Sequence, residues 1–418
     1  MRLSRVGGLI QNAVALITSS AISAIIGIVF WAVAARLETA RVVGESSAAL
    51  ASMSILALLS QMSFGPTFER FIPVAGRRTH GLIIRAYVIC TVSATIITVA
   101  FIASGIGHNF ISASLPWRTV FLVSVVLWAI FGLQDSALVG LRSTRWVPVE
   151  NITYSAAKLA LLPLFVMWSA REGIFVAWNF PVIWLIVAVN WYIFRHRVPA
   201  HQLHSRPSEQ LPSTRQLLTL SGAQYASLLV GVMASSITSL IVVDRLGAVA
   251  NAHYYIPAQT AIGVSILITS IMRSFYVEVA SEPERIREFA RITFKSLTIL
   301  LPPIIVIGVL FAPQFLGIFG HAYATQGATL LRMMLLSSPA MAVTTFYSAF
   351  AWLDKKVWWF ALRELASAAI FFSVLLSLLG HLGLVAIGVA SLVESGIEAL
   401  FFLPRLIRRY RLAISEDI

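Results

Sequence analysis

The sequence predicts an all-α polytopic membrane protein of 12 transmembrane helices in two six-helix bundles, and three observations carry that prediction. Apolar residues make up 58% of the 418-residue chain and charged residues 12%, with a mean hydropathy of +0.84. Soluble domains hold roughly half apolar and about a quarter charged residues, so this surface is made for lipid. Twelve apolar stretches follow one another, each close to the roughly 20 residues with which an α-helix crosses about 30 Å of hydrocarbon. They fall into two sets of six on either side of a polar middle.

The first stretch runs from about residue 9 to 35, behind Arg2 and Arg5. A cleaved leader has an apolar core of only about 7 to 15 residues, so the longer run is read as a retained helix. Its set continues at about 46 to 66, 82 to 104, 119 to 141, 151 to 169 and 173 to 194, the last two divided only by Arg171 and Glu172. The second set is expected at about 217 to 243, 250 to 272, 292 to 312, 327 to 352, 357 to 379 and 382 to 404. Pro66, Pro163, Pro257, Pro302, Pro303 and Pro339 lie in or at the edges of these spans. Proline removes a backbone donor and bends a helix, which suits bundles that rock.

The polar segment from Arg195 to Arg215 contains Pro199, Pro207 and Pro212 and reads as an extended linker. The expected organisation is an N-lobe over 1–194, a cytoplasmic linker over 195–215, a C-lobe over 216–404 and a cytoplasmic tail over 405–418. Sparse identities support duplication. Arg36-Leu37 recurs as Arg245-Leu246, and Leu141, Trp146 and Ser155-Ala156-Ala157 recur as Leu353, Trp358 and Ser367-Ala368-Ala369. Two sets of six helices in the same orientation form a parallel repeat, an arrangement in which transporters carry substrate between the lobes.

The formal charge of +13 is distributed by side of the membrane rather than gathered for nucleic acid. With both termini in the cytoplasm, 23 basic residues fall inside and five outside, namely Arg36, Arg41, Arg118, Arg171 and Arg245. That bias sets the orientation in a plasma membrane and makes anionic lipid headgroups partners of the inner face. The excess of arginine over lysine accords with a bacterial source. Cys90, the single cysteine, lies in the third span, and the eight histidines are scattered, so neither a disulfide nor a metal site is expected. No cofactor is indicated. The longest outer loops, Gly105 to Arg118 and Ala312 to Gln326, leave no room for an external catalytic domain, which argues against a membrane enzyme such as a glycan polymerase or ligase.

The two-lobe layout, the basic linker, and the segments ARLETARVVGESSAALASMSILALLSQMSFGPTFERFIP (35–73) and VGLRSTRWVPVENITYSAAKLALLPL (139–164) together resemble a known family. They are similar to the oligosaccharide-lipid and polysaccharide flippases, of O-antigen or capsule repeat-unit type, in the superfamily that also holds the MATE drug exporters. The resemblance implies a MATE-like pair of bundles rocking between inward-open and outward-open states. It implies a polyprenyl-diphosphate-linked glycan carried from the inner to the outer leaflet, and a monomer that associates with glycan-assembly proteins. A cation-coupled drug exporter shares the fold and is the alternative. Relatives that move lipid diphosphates line the forward cavity with several arginines, whereas here only Lys158 is a deep cation in the first six spans.

Ionisable groups inside a span cost about 2.5 to 3.5 kcal/mol each and usually face protein or water, so they are the site candidates. Asp135 and Lys158 are each expected about 10 Å from the inner surface, either as an ion pair between the fourth and fifth spans or with Lys158 on a cavity wall attracting diphosphate. Arg363, with Glu364 beside it, lies near Glu398 in depth, and either pairs with Glu398 as a structural contact or stands with Glu364 as a candidate for the substrate cavity. Ser391, Glu394, Ser395 and Glu398 share one stripe of the last span. Glu394, without an evident partner there, is the candidate for coupling to H+ or Na+, with Glu398 second to it. Arg332 either snorkels to the outer surface or receives the diphosphate there. Arg70 and Arg273 at inner span ends are candidates for first contact with an arriving headgroup. Gln11, Asn12 and Asn151 are candidates for sugar hydroxyls or for helix-to-helix hydrogen bonds.

The orientation has a direct check. With Cys90 replaced, Ser208→Cys should react with a membrane-impermeant maleimide only from the cytoplasmic side, and Asn109→Cys only from outside. Labelling of both from one side would refute the three spans placed between them.

Overall fold

The computed structural model describes residues 22–111, 114–204, 229, 233, 236–281, 283–353 and 357–415, and every element among them is helical. Nine helices among the described residues are long and apolar enough to cross a membrane. The chain divides into two compact units, Met1–Ala252 and His253–Ile418.

The first unit begins with α1 (Ile22–Leu37) and α2 (Ala40–Gln61). Thr39 caps α2, its Oγ1 accepting from the Val42 N–H at 3.4 Å. Buried α2 is rich in Ala and Ser, and Ser47, Ser52 and Ser60 return their hydroxyls to the carbonyls of Gly44, Ala48 and Leu56. Hydroxyls satisfied within their own helix leave a thin apolar face that neighbours can approach closely. At Gly44 the approach is closest, since a Cβ there would run into the carbonyl of Ala248.

The expected second span to residue 66 is corrected. α2 stops at Gln61, because Met62 takes φ 50°, a left-handed conformation that breaks the hydrogen-bond ladder. Pro66 falls instead in the first turn of α3 (Phe64–Ala75), where a missing N–H costs nothing. A 3₁₀ turn at Gly76–Arg78 leads into α4 (Thr79–Ala103), followed by α5 (Leu115–Gly140), α6 (Trp146–Trp168) and α7 (Gly173–Tyr192). Residues 195–204, read above as extended linker, are helical. A π turn over Ile193–Arg197 carries α7 into α8 (Val198–His204), with Pro199 harmless in its first turn. The rest of that segment, 205–215, lies outside the described residues. A further helix, α9 (236–246), precedes the first residues of α10 (Ala248–Ser281).

The core of this unit is built from Phe68 and Ile72 of α3, Ile83, Ala86 and Cys90 of α4, Leu133, Ala137 and Leu138 of α5, and Ile193 and Val198. Gly140 makes the α3–α5 contact tight: a Cβ there would stand 2.5 Å from the Phe68 carbonyl oxygen and 2.9 Å from the Ile72 Cβ.

The second unit holds the remainder of α10, then α11 (Ile286–Leu310), the short α12 (Ala312–Gly317), α13 (His321–Leu353), α14 (Val357–Leu382) and α15 (Val385–Ser415). The segment Ala312 to Gln326, expected as a loop, is mostly helical: α12 fills its first part and α13 already begins at His321. α13 packs against α15, and α15 against α14. Phe275 of α10 lies edge-on to Phe346 and Phe350 of α13, with ring centroids 5.6 and 5.5 Å away. Such aromatic pairs fill space with little loss of rotamer freedom.

Gly140→Leu should lower stability by about 1–3 kcal/mol by overpacking α3 against α5, read as an earlier thermal unfolding midpoint in detergent. Gly81→Ala, where a Cβ meets nothing within 4 Å, serves as the control. An unchanged midpoint for Gly140→Leu would remove the close approach.

Candidate functional site

In the first unit, polar groups from four helices converge. Gln134 of α5 is fully buried and Glu150 of α6 is 3% exposed. The Gln134 amide donates to Glu150 through a short contact and accepts at its oxygen from Asn190 of α7 at 2.7 Å. Asn190 in turn accepts from the Tyr87 hydroxyl of α4 at 2.8 Å. Beside this chain the Asn151 amide donates to Asp135 at 3.3 Å and to its own helix at the Val147 carbonyl. The Asp135 and Glu150 carboxyls also meet each other. Two carboxyls in contact in low dielectric cannot both stay charged, so the pair is a place to share a proton.

Lys158 does not pair with Asp135. Asn151, which touches Asp135, precedes Lys158 by seven residues, about 10 Å along the helix. Lys158 is instead boxed by aromatic rings, its Nζ lying 3.5 Å from the centroid of Trp178, 4.8 Å from Tyr154 and 5.5 Å from Phe30. The Tyr154 hydroxyl donates to the Trp178 carbonyl at 3.1 Å, and the Trp128 indole donates to Asn179 at 2.8 Å, which locks the box. Ring faces solvate the ammonium where water is excluded.

In the second unit α14 and α15 bring their charges together. Arg363 pairs with Glu398, Nη1 to Oε2 at 3.4 Å, as allowed by their matched depth, and also with the adjacent Glu364. Glu394, expected without a partner, accepts from the Ser367 hydroxyl one turn along α14. Glu394 and Glu398, four residues apart on α15, both reach α14, and Glu398 also meets Thr344 of α13. Ser391 and Ser395 return their hydroxyls to α15 itself. A cavity of about 340 Å³ opens here, lined by Arg363, Ser367 and Glu398 with the rings of Trp359, Phe401 and Phe402. Arg363 Nε is buried without a hydrogen-bond partner. Three carboxyls stand around a single guanidinium, so the cluster has room for positive charge.

The other candidates are dispersed. Arg332 turns to the end of α11, its Nε donating to the Val309 carbonyl at 3.0 Å, where a helix terminus leaves carbonyls unpaired. Arg70 is exposed on α3, its guanidinium 5.7 Å from the Phe71 ring. The side chain of Arg273 lies outside the described residues, as do Gln11 and Asn12. Sequence reading passed over Gln134, Glu150, Asn190 and Tyr87. Only the neighbouring pairs Gln134-Asp135 and Glu150-Asn151 could have flagged them, as polar doublets at facing span ends. It also passed over Glu45, 6% exposed, held by Arg41 at 3.0 Å and Arg171 at 3.2 Å, and Asn251, which donates to the Gly44 carbonyl and Ser47 and accepts from Ser239.

Comparison with known proteins follows this geometry. The profile of the family described as "Polysaccharide biosynthesis protein" matches residues 9–276. No curated protein matches the chain. Among solved structures, an inward-facing multidrug resistance MATE family transporter of the MOP superfamily superposes with a TM-score of 0.70 at 14% identity, covering 97% of this chain and 100% of that one. An outward-facing member gives 0.63 at 15% identity over 96% of each chain. A MOP superfamily transporter from Pyrococcus furiosus, described as having a binding pocket of reversed polarity, gives 0.60 at 14% identity, over 94% of this chain and 95% of that one. These similarities establish the MATE-type fold.

Gln134→Leu should cost about 1–3 kcal/mol, because Glu150 loses its donor while staying buried. Glu150→Gln in the same background should recover part of it, as a neutral amide needs no charge stabilisation. Equal thermal midpoints for Gln134→Leu and the parent would show that the network carries no weight.

Proposed function

The chain belongs to the polysaccharide biosynthesis protein family, and from that membership we propose that it is a flippase carrying a polyprenyl-diphosphate-linked glycan from the inner to the outer leaflet of a bacterial plasma membrane. The family match over residues 9–276 is the observation that carries this reading, and the MATE-type fold supports a transport mechanism. In this reading 12 spans form a 6+6 pair of lobes, 1–194 and 216–404, joined by the 195–215 linker, with both termini in the cytoplasm. Alternating access moves the glycan headgroup while its lipid chain stays in the bilayer.

The α14–α15 cluster takes the coupling role. Glu394, bonded to a neutral Ser367 rather than to a cation, can exchange a proton or Na+ without breaking an ion pair. Glu398 and Glu364 are tied to Arg363, and opening those pairs frees a guanidinium for diphosphate, a fork-shaped donor matched to phosphate oxygens. Lys158 contributes to substrate binding only where its aromatic box opens. Arg70 and Arg273 serve the arriving headgroup, and Arg332 the departing one. The surplus of carboxyls over Arg363 favours a second reading, a cation-coupled exporter of cationic drugs.

Deletion of the gene should leave undelivered lipid-linked sugar on the inner leaflet, whereas an exporter deletion would leave glycan delivery intact and lower drug tolerance. Glu394→Gln should abolish the pH or Na+ dependence of transport. A variant that keeps the parent's ion dependence would take Glu394 out of the coupling step.

A further inference from the structure

Lys158 is 4% exposed, and among the described residues its Nζ is met by ring faces rather than by a carboxylate. Burying an ammonium at this depth is costly, and leucine or methionine would fill the same volume with no charge to desolvate. A charge kept at that cost points to a use for the cation itself.

The rings hold one another rather than depending on the lysine. Phe30 of α1 stands edge-on to Trp178 of α7 with centroids 5.1 Å apart, and Trp31 lies 5.9 Å from Trp178. Tyr154 of α6 lies 5.7 Å from Trp128 of α5 and 6.3 Å from Trp178. With the Tyr154 hydroxyl bonded to the Trp178 carbonyl and the Trp128 indole to Asn179, four helices fix the walls before any cation enters. A preorganised box of ring faces in low dielectric attracts a small cation that matches its size. Phe30 and Tyr154 are buried, whereas Trp128 and Trp178 are half-buried, so the tryptophan side of the box is not sealed.

We propose that this box is a binding site for a small organic cation, a primary alkylammonium, and that Lys158 occupies it as a tethered ligand and so closes the first unit to free cations. The tether makes occupancy intramolecular, at an effective concentration that a dissolved amine does not reach. Filling the box excludes a second cation by volume, and the charge of the lysine repels it. Lys158 is thus a specificity-determining residue, which leaves the chemistry of the site intact and denies it to outside ligands. None of this depends on which substrate the protein carries, since the walls and their occupant belong to the first unit alone.

Lys158→Ala removes the atoms from Cγ to Nζ, which together make n-propylammonium. Binding of radiolabelled n-propylammonium to the full chain in detergent is measured by equilibrium dialysis, with and without Trp178→Leu, so that binding in the box is told apart from binding elsewhere. Lys158→Ala should bind the amine, Trp178→Leu should weaken that binding about tenfold, and 1-propanol should compete at least about tenfold less well than unlabelled amine. The parent should show no binding that depends on Trp178. Equal Trp178-dependent binding by the parent would overturn Lys158 as the occupant. No binding by Lys158→Ala, or equal competition by 1-propanol, would overturn the box as a cation site. Lys158→Leu removes only the end of the side chain, and it decides the matter if Lys158→Ala does not fold. It should take methylammonium in place of n-propylammonium, and failure to bind either amine would overturn the site.

Discussion

A charge or peptide group in the hydrocarbon core has no water to bond, and that constraint shapes every level of this molecule. It makes the described elements helical, because a helix closes its own backbone hydrogen bonds. It also explains why serines along α2 bond back to their own turns, and why each buried ionisable group described here lies against polar partners or, for Lys158, against ring faces. A lone carboxylate at that depth would cost several kcal/mol, and a partner is the cheapest remedy.

The two units answer the constraint differently. In the first, neutral amides and a phenol surround two carboxyls, and the deep cation Lys158 is solvated by rings instead of by an acid. Separating Lys158 from Asp135 keeps both from being neutralised by each other, which a simple ion pair would have done. In the second, three carboxyls meet one guanidinium beside a cavity. Such surplus negative charge is eased by a proton or cation, which is the feature the proposed coupling would use.

In the proposed transport, the Arg363 fork and the carboxyls around it handle a polar headgroup. The work is then differential binding by two states of a helical scaffold.

Hydropathy and spacing alone established the helical membrane class, the order of the apolar stretches and the matched depth of Arg363 and Glu398, because those depend on local composition and on the fixed rise of a helix. The end of α2 at Met62, the helical course of 195–204 and the fates of Lys158 and Glu394 were decided only by tertiary structure. Depth along a helix can be counted from sequence, whereas the direction a side chain takes around its axis depends on which neighbours close over it. Glu150 shows the difference: it reads as an interfacial residue at a span end, and becomes a buried partner of Gln134 because α5 and α7 pack across it.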